Sequence, residues 1–280
     1  KIYKYDIMKI GIAISTYANE KTDKSRLNII KKCLDSLLLS DVDVLIVNDG
    51  STNEQHFQLI NSYSMYNIIN KSTNGGIAKS KNTAIKYFEK NEYDYVFLMD
   101  DDMIILNKDF YSYYTDATQK TGIHHFCYKH ENNHSETVNM VKHSLIKKIT
   151  VNDQTIKVSN RTNGCFLTIT KKMIQDIGYF KVLPHKYGHE HSNYTLRAIY
   201  NGFAPGYVDI SNSEEYIGLQ DESGIYPSII YPTEFELKEN HNKVFTNVHI
   251  FSLTHDYDDI GLLITGLENH FEKDVKVSIY

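Results

Sequence analysis

The chain reads as an α/β fold built on a parallel sheet with helices on both faces. Three observations carry this reading. Short apolar runs of strand length recur through the first hundred residues, helical stretches separate them, and polar clusters follow the carboxyl ends of the runs. Ligands of such sheets bind beyond those carboxyl ends.

The elements follow in order. Ile10-Gly11-Ile12-Ala13-Ile14 is a buried-strand run that ends in Ser15-Thr16-Tyr17. Arg26 to Leu39 carries Leu27, Ile30, Leu34, Leu37 and Leu38 at helical spacing. Val42 to Val47 is a second strand, closed by the turn cluster Asn48-Asp49-Gly50-Ser51. Tyr66 to Ile69 gives a third strand, Ile77 to Phe88 an amphipathic helix, and Tyr95-Val96-Phe97-Leu98-Met99 a fourth strand running into Asp100-Asp101-Asp102. After about residue 120 the pattern changes. Ile146 to Val158 reads as a hairpin centred on Asn152-Asp153, and Cys165 to Ile169 as a strand. Lys171 to Ile177 is a short helix ended by Gly178, and His191 to Tyr200 a helix stopped by Asn201-Gly202. Signals weaken beyond Tyr207, where Phe245 to Leu253 reads as a strand and Ile260 to Phe271 as a closing helix.

Composition narrows the function. The chain has 280 residues, 41% of them hydrophobic, enough for one sizeable core. A net charge of −5 provides no global positive field for nucleic acid, although Lys142, Lys147 and Lys148 form either a local basic patch or a solvated hairpin flank. Three cysteines (Cys33, Cys127, Cys165) without a CxxC pair argue against a disulfide scaffold and fit a reducing compartment. No apolar run reaches the roughly 18–20 residues of a membrane span and no signal-peptide pattern opens the chain. The expected location is cytoplasmic, with peripheral association at the inner face of a membrane compatible. The opening Lys1 fits a segment of a longer protein.

Asp100-Asp101-Asp102 carries the chemistry. On an extended chain Asp100 and Asp102 project to one side and Asp101 to the other. Two carboxylates about 5 Å apart repel by roughly 3 kcal/mol at an intermediate dielectric. A cation relieves that, and carboxylate, water and phosphate oxygens suit Mg²⁺ or Mn²⁺. The alternative is an acidic loop or a cap for the next helix, with Asn107 the better cap. Asp49 ends the second strand, where it either meets the edge of a nucleobase or serves an ordinary turn. Asn74-Gly75-Gly76 opens a helix but lacks the Walker and GxGxxG spacings.

Taken in order, four segments resemble the family 2 glycosyltransferases of the GT-A fold. They are Ile12 to Tyr17, Leu45 to Thr52, Asn74-Gly75-Gly76 through Asn82, and Phe97 to Asp102. The resemblance implies a GT-A-type, Rossmann-like nucleotide-binding sheet with an appended acceptor-side half. It places the donor half at about 1–105, the acceptor half at about 106–235 and a C-terminal extension at 236–280. It implies that Thr16, Tyr17, Asp49, Gly76, Lys79, Asn82, Asp100 and Asp101 bind the donor, and that Asp102 ligates the metal of a DXD motif. Asn48 replaces the first Asp of the usual Asp-Asp-Gly-Ser. In the second half, Asn163 to Leu167 resembles the acceptor-side strand, and Tyr187-Gly188-His189-Glu190-His191 the segment that supplies the base. His191 stands where that segment usually has Asp, so Glu190 comes first as base and His191 second. Many GT-A enzymes complete the metal shell with a late histidine, for which His255 is preferred over His249; His124, His125, His130 and His134 read as loop residues.

The implied function is an inverting transfer from a nucleotide diphosphate sugar, a UDP-sugar first, to a hydroxyl of a glycan or glycoconjugate, as in building a surface polysaccharide. A nucleotide-sugar- or glycan-binding module without turnover and a sugar-phosphate nucleotidylyltransferase are the alternatives. The latter needs a basic glycine-rich loop after the first strand, which Thr16-Tyr17-Ala18-Asn19 is not.

Overall fold

The computed structural model describes residues 8–128, 145–160, 164–220 and 233–245. The chain alternates through β1 (Ile10–Thr16), α1 (Lys24–Ser36), β2 (Asp43–Asn48), α2 (Glu54–Asn61), β3 (Asn67–Asn70), α3 (Ile77–Lys90) and β4 (Tyr95–Asp100). The four strands are parallel, in the spatial order β3-β2-β1-β4, with Ile14 beside both Ile46 and Met99.

Both faces of this sheet are buried, which is why its strands read as continuous apolar runs. Ile12, Ile14, Val44, Ile46, Phe97 and Met99 face one core, shared with Ile30, Cys33 and Leu34 of α1. Ala13, Leu45, Val47, Val96 and Leu98 face the other, shared with Ala84, Ile85 and Phe88 of α3. The helix α2, absent from the sequence expectation, starts where the Asn53 side chain accepts the His56 N–H at 3.0 Å.

The later elements are β5 (Met103–Ile105), α4 (Phe110–Thr121), β6 (Leu145–Val151), β7 (Gln154–Ser159), β8 (Phe166–Thr170), α5 (Lys171–Ile177), α6 (Glu190–Tyr200), β9 (Tyr207–Ile210), β10 (Ile217–Leu219) and α7 (Glu234–Phe245). The expected cap Asn107 is corrected: the residue that caps α4 is Asp109, whose side chain makes no capping bond, while Asn107 turns the chain two residues earlier by accepting the Asp109 N–H at 3.0 Å. The hairpin β6–β7 turns at Asn152 and Asp153, both with positive φ, and β9 joins it on the β7 side. β8 returns to the first sheet antiparallel to β4, with Phe166 beside Met99. The sheet is thus parallel over four strands and antiparallel at one edge.

The segment 123–128 is no simple loop. It runs along β8 and β9, with Thr168 N–H donating to the Phe126 carbonyl and Cys127 N–H to that of Val208. His124 bonds Thr170, and the His125 ring is fully buried between Thr168 and Thr195.

α7 begins at Glu234, two residues before the expected start of the C-terminal extension at 236. Phe245 ends that helix instead of opening a strand. The rest of the expected strand to Leu253, the helix at Ile260–Phe271, and His130, His134, Lys142, Asn163, His249 and His255 lie outside the described residues. Among the described residues no helix is long and apolar enough to cross a membrane.

Candidate active site

β4 ends at Asp100, and Asp101-Asp102 form the turn into β5 instead of extending the strand. The carboxylates still part company. Asp101 reaches toward the α1 side of the sheet, where it pairs with Arg26, both side chains 7% exposed, and accepts the Thr16 hydroxyl at 2.6 Å. Asp100 reaches toward the α3 side, with Oδ1 3.2 Å from Lys81 Nζ. Asp102 Oδ1 is buried and has no hydrogen-bond partner among the described residues. Its burial, and then the charges of Asp100 and Asp101, push its pKa up to about 7, with Arg26 opposing. Burial likewise raises Asp100, against the pull of Lys81. Asp102 therefore keeps a carboxylate oxygen that the described residues leave unsatisfied. Among the described residues no three His, Cys, Asp or Glu side chains converge as a complete metal site. Mg²⁺ and Mn²⁺ do not need one, since phosphates and waters complete their shells around one or two carboxylates.

At the end of β1, Thr16 is buried, its hydroxyl also 2.9 Å from His56 Nε2. Thr16 donates to Asp101, so the His56 ring N–H donates to Thr16. Burial holds His56 neutral, lowering its pKa to about 4. Tyr17, the next residue, is half-buried. At the end of β2, the departure at Asn48 has a plain reason. Its Oδ1 accepts the Ser51 N–H while its Nδ2 donates to Asn70, and an Asp cannot do both.

Asp49 is held inside the protein: it accepts the N–H groups of Gly75 (3.0 Å) and Gly76 (2.8 Å) and pairs with Lys71. It braces the turn that opens α3. Gly76 there has φ +85, and a Cβ on it would lie 2.6 Å from the Lys186 carbonyl oxygen, so only glycine lets the two halves of the site meet. Asn82 spans the same divide, its amide bonded to both the N–H and the carbonyl of Phe180. Lys79 is exposed and lines a cleft of about 190 Å³.

Gly75, Ala78 and Lys79 form one wall of that cleft; residues 182–186 and Glu190 form the other. Glu190 opens α6, buried to 5% exposure, behind a left-handed His189 at φ +65. The helix is seated by Tyr194 stacked on Phe180 at 4.2 Å and by Arg197, which donates to the Ile177 and Tyr179 carbonyls. Burial raises the Glu190 carboxyl, but the hydrogen bond and charge of His191, with Lys81 beyond, outweigh it and hold it below the usual value. His191 Nδ1 lies 3.5 Å from Glu190 Oε1. Its ring covers Gly164, where a Cβ would come within 2.7 Å.

Sequence reasoning passed over Lys81, Arg26 and His56. Lys81 is 1% exposed and donates to the Gly164 carbonyl as well as pairing with Asp100. The signal was available. Ala78, Lys81, Ile85 and Phe88 share one buried stripe of α3, and a lysine there must be paired. Arg26 stands in the same relation to Ile30 and Cys33 on α1. The structure thus brings together Asp100, Lys81 and Glu190, whose charges act on one another, with Asp102 beside Asp100 and Lys79 across the cleft. It sets Thr16, Asp49, Asp101 and Asn82 behind them, with their polar atoms engaged by the protein.

Comparison with known proteins identifies the family and the fold. The model of glycosyl transferase family 2 matches residues 12–177. A protein of Acanthamoeba polyphaga mimivirus, described as an uncharacterised glycosyltransferase, is 38% identical over 228 residues, covering 80% of this chain and 86% of that protein. The S. aureus TarS fragment 1–349, solved in complex with UDP-GlcNAc, has a TM-score of 0.63 at 20% identity over 94% of this chain and 73% of its own. A longer S. aureus TarS structure gives 0.61, with 95% of this chain matching 44% of that one. At that identity the likeness to TarS is one of fold. The strand order, the triplet at the end of β4, the family match over more than half of the chain and the viral relative lead to one conclusion: the chain belongs to glycosyl transferase family 2 and has its GT-A fold.

Proposed function

We propose that the protein is an inverting, metal-dependent glycosyltransferase. It moves a hexosyl or N-acetylhexosaminyl group from a nucleotide diphosphate sugar to a hydroxyl of a glycan or glycoconjugate. The observation that carries the reading is Asp102 Oδ1, a buried acceptor without a partner among the described residues and beside a second carboxylate. A buried oxygen in that state costs stability unless something fills it, and a divalent cation fits. Asp102 would hold Mn²⁺ or Mg²⁺ directly, with Asp100 beside it; the expectation for His255 stays with the residues not described. A UDP-sugar is favoured because TarS, which shares the fold, was solved with UDP-GlcNAc.

When bound, the ion supplies positive charge against the leaving nucleoside diphosphate. The chain's own residues do the rest. Lys81 fixes Asp100 and ties it to the Gly164 backbone. Asp49 braces the Gly75-Gly76 turn from which Lys79 reaches the anionic donor. Gly76 and Asn82 keep the donor half against the acceptor half. Tyr17 flanks the nucleotide at the end of β1, where Thr16 and Asp101 hold the turn in shape. Glu190, kept ionised by His191, takes the proton of the acceptor hydroxyl as that oxygen attacks the face of the anomeric carbon opposite the leaving group. Attack from that side inverts the centre.

Calorimetry with UDP tests the reading. Mn²⁺ should tighten UDP binding by roughly 10-fold or more over EDTA, about 1.4 kcal/mol. Equal binding under the two conditions refutes it. A panel of nucleotide sugars with Mn²⁺ should then show slow hydrolysis of one donor, whereas binding with no turnover across donors and acceptors would make this a binding module.

A further inference from the structure

The cleft wall opposite Lys79 is the connection between α5 and α6. Its residues 182–186 line the cleft and lead directly into Glu190, and none of the connection is helix or strand. A segment of that kind has no ladder of its own to fix it. Gly188 (φ +99) and His189 (φ +65) are both left-handed, a conformation that His189 holds only under constraint from its surroundings.

A buried side chain from outside the connection holds it, beside the Ile77 N–H that donates to the Lys186 carbonyl. Asn240 of α7 is fully buried, and its Oδ1 accepts the His185 N–H at 3.0 Å. Its Nδ2 meets the carbonyls of Tyr187 (3.0 Å), Gly188 (3.1 Å) and His185 (3.2 Å). The amide is the side chain that presents an acceptor and two hydrogens in one plane, and here it engages peptide groups on both sides of Tyr187. Neighbouring turns of α7 add to the hold. The His185 ring lies 2.6 Å from Glu239 and 3.3 Å from Glu236, and Leu237 packs on Gly188.

We propose that Asn240 is a positioning residue that acts through the 185–188 turn to set Glu190 at the cleft, making α7 a strap over the acceptor side of the active site. The proposal rests on the reading of Glu190 as the proton acceptor.

Asn240→Asp in the full chain is the test, because it keeps the acceptor for the His185 N–H and removes the donors to three carbonyls. Hydrogen exchange of peptides covering 183–192 should rise, with exchange in β1 and β4 unchanged. In hydrolysis of whichever nucleotide sugar the wild type turns over, kcat should fall roughly 10-fold or more, with the donor KM and the UDP affinity within about twofold. Asn240→Ser, which retains one donor and one acceptor, should fall between the two and serves if the Asp variant folds poorly. Lys243→Ala, on an exposed position of the same helix, should leave every readout at the wild-type value. Wild-type exchange over 183–192 in both Asn240 variants overturns the proposal, and so does a turnover loss that merely tracks the folded fraction. Unchanged turnover in Glu190→Gln overturns the underlying reading instead, and the two failures are told apart by which variant is silent.

Discussion

Among single residues, the site separates groups that the protein satisfies from groups that it leaves wanting. Asp101 has Arg26 and Thr16, Asp49 has two glycine N–H groups and Lys71, and Asp102 Oδ1 has no partner among the described residues. Asp102→Asn should therefore abolish the Mn²⁺-dependent gain in UDP affinity while changing UDP binding in EDTA by no more than about twofold. Glu190→Gln should cut kcat by roughly 10²–10⁴-fold and spare UDP binding, a split visible in calorimetry beside a rate assay. His125 gives a third expectation. Burial lowers its pKa to about 4 from an ordinary 6.5, with Nδ1–H donated to the Thr168 carbonyl. The folded state thus refuses a proton that the unfolded state accepts. Stability is intact above pH 6.5 and is lost as pH falls toward 4, by on the order of 3 kcal/mol. Urea unfolding across that window should show the decline, and His125→Gln should make it shallower without abolishing it, because His56, lowered by burial to about 4 as well, titrates over the same range. The sequence made the acidic triplet, Glu190 and His191 legible because each sits in a short local pattern. Lys81 and His56 escaped because their roles depend on partners tens of residues away, Gly164 and Thr16.

Secondary-structure elements were legible in proportion to how much of one face they bury. α3 shows a continuous apolar stripe and β4 buries both faces, so each is placed within two residues of its observed ends. α2 buries only His56 and Ile60, leaving too little periodicity to register. Its start depends on a cap instead: Asn53→Ala should cost about 1 kcal/mol, measured as a lower urea midpoint with an unchanged m-value. β5 and β10 are three residues each and exist because they pair with one another, a long-range event that no local window contains. α7 went unread for a related reason. Of its buried residues, Asn240 is polar and sits upon the 185–188 turn, which leaves Val244 too isolated to give a hydrophobic signature.

Taken whole, the two halves expected from the sequence share one sheet. β8 belongs to the second half in sequence and to the first sheet in space, and Asp100 N–H donates to the Cys165 carbonyl where the two meet. A calorimetric scan should show a single unfolding transition. UDP with Mn²⁺ should raise its midpoint, with about 2.7 kcal/mol of stabilisation when ligand stands at 100 times its Kd; two transitions of which only one responds would contradict a shared core. The β8 arrangement also bears on how the chain is made. The strand that will cover the open edge of β4 begins at Phe166, 66 residues further along the chain than Asp100, so a hydrophobic hydrogen-bonding edge waits uncovered in the nascent protein. Newly made molecules should be most vulnerable to aggregation and to chaperone capture in that interval, and a truncated product ending before Phe166 should be insoluble where the longer chain is not.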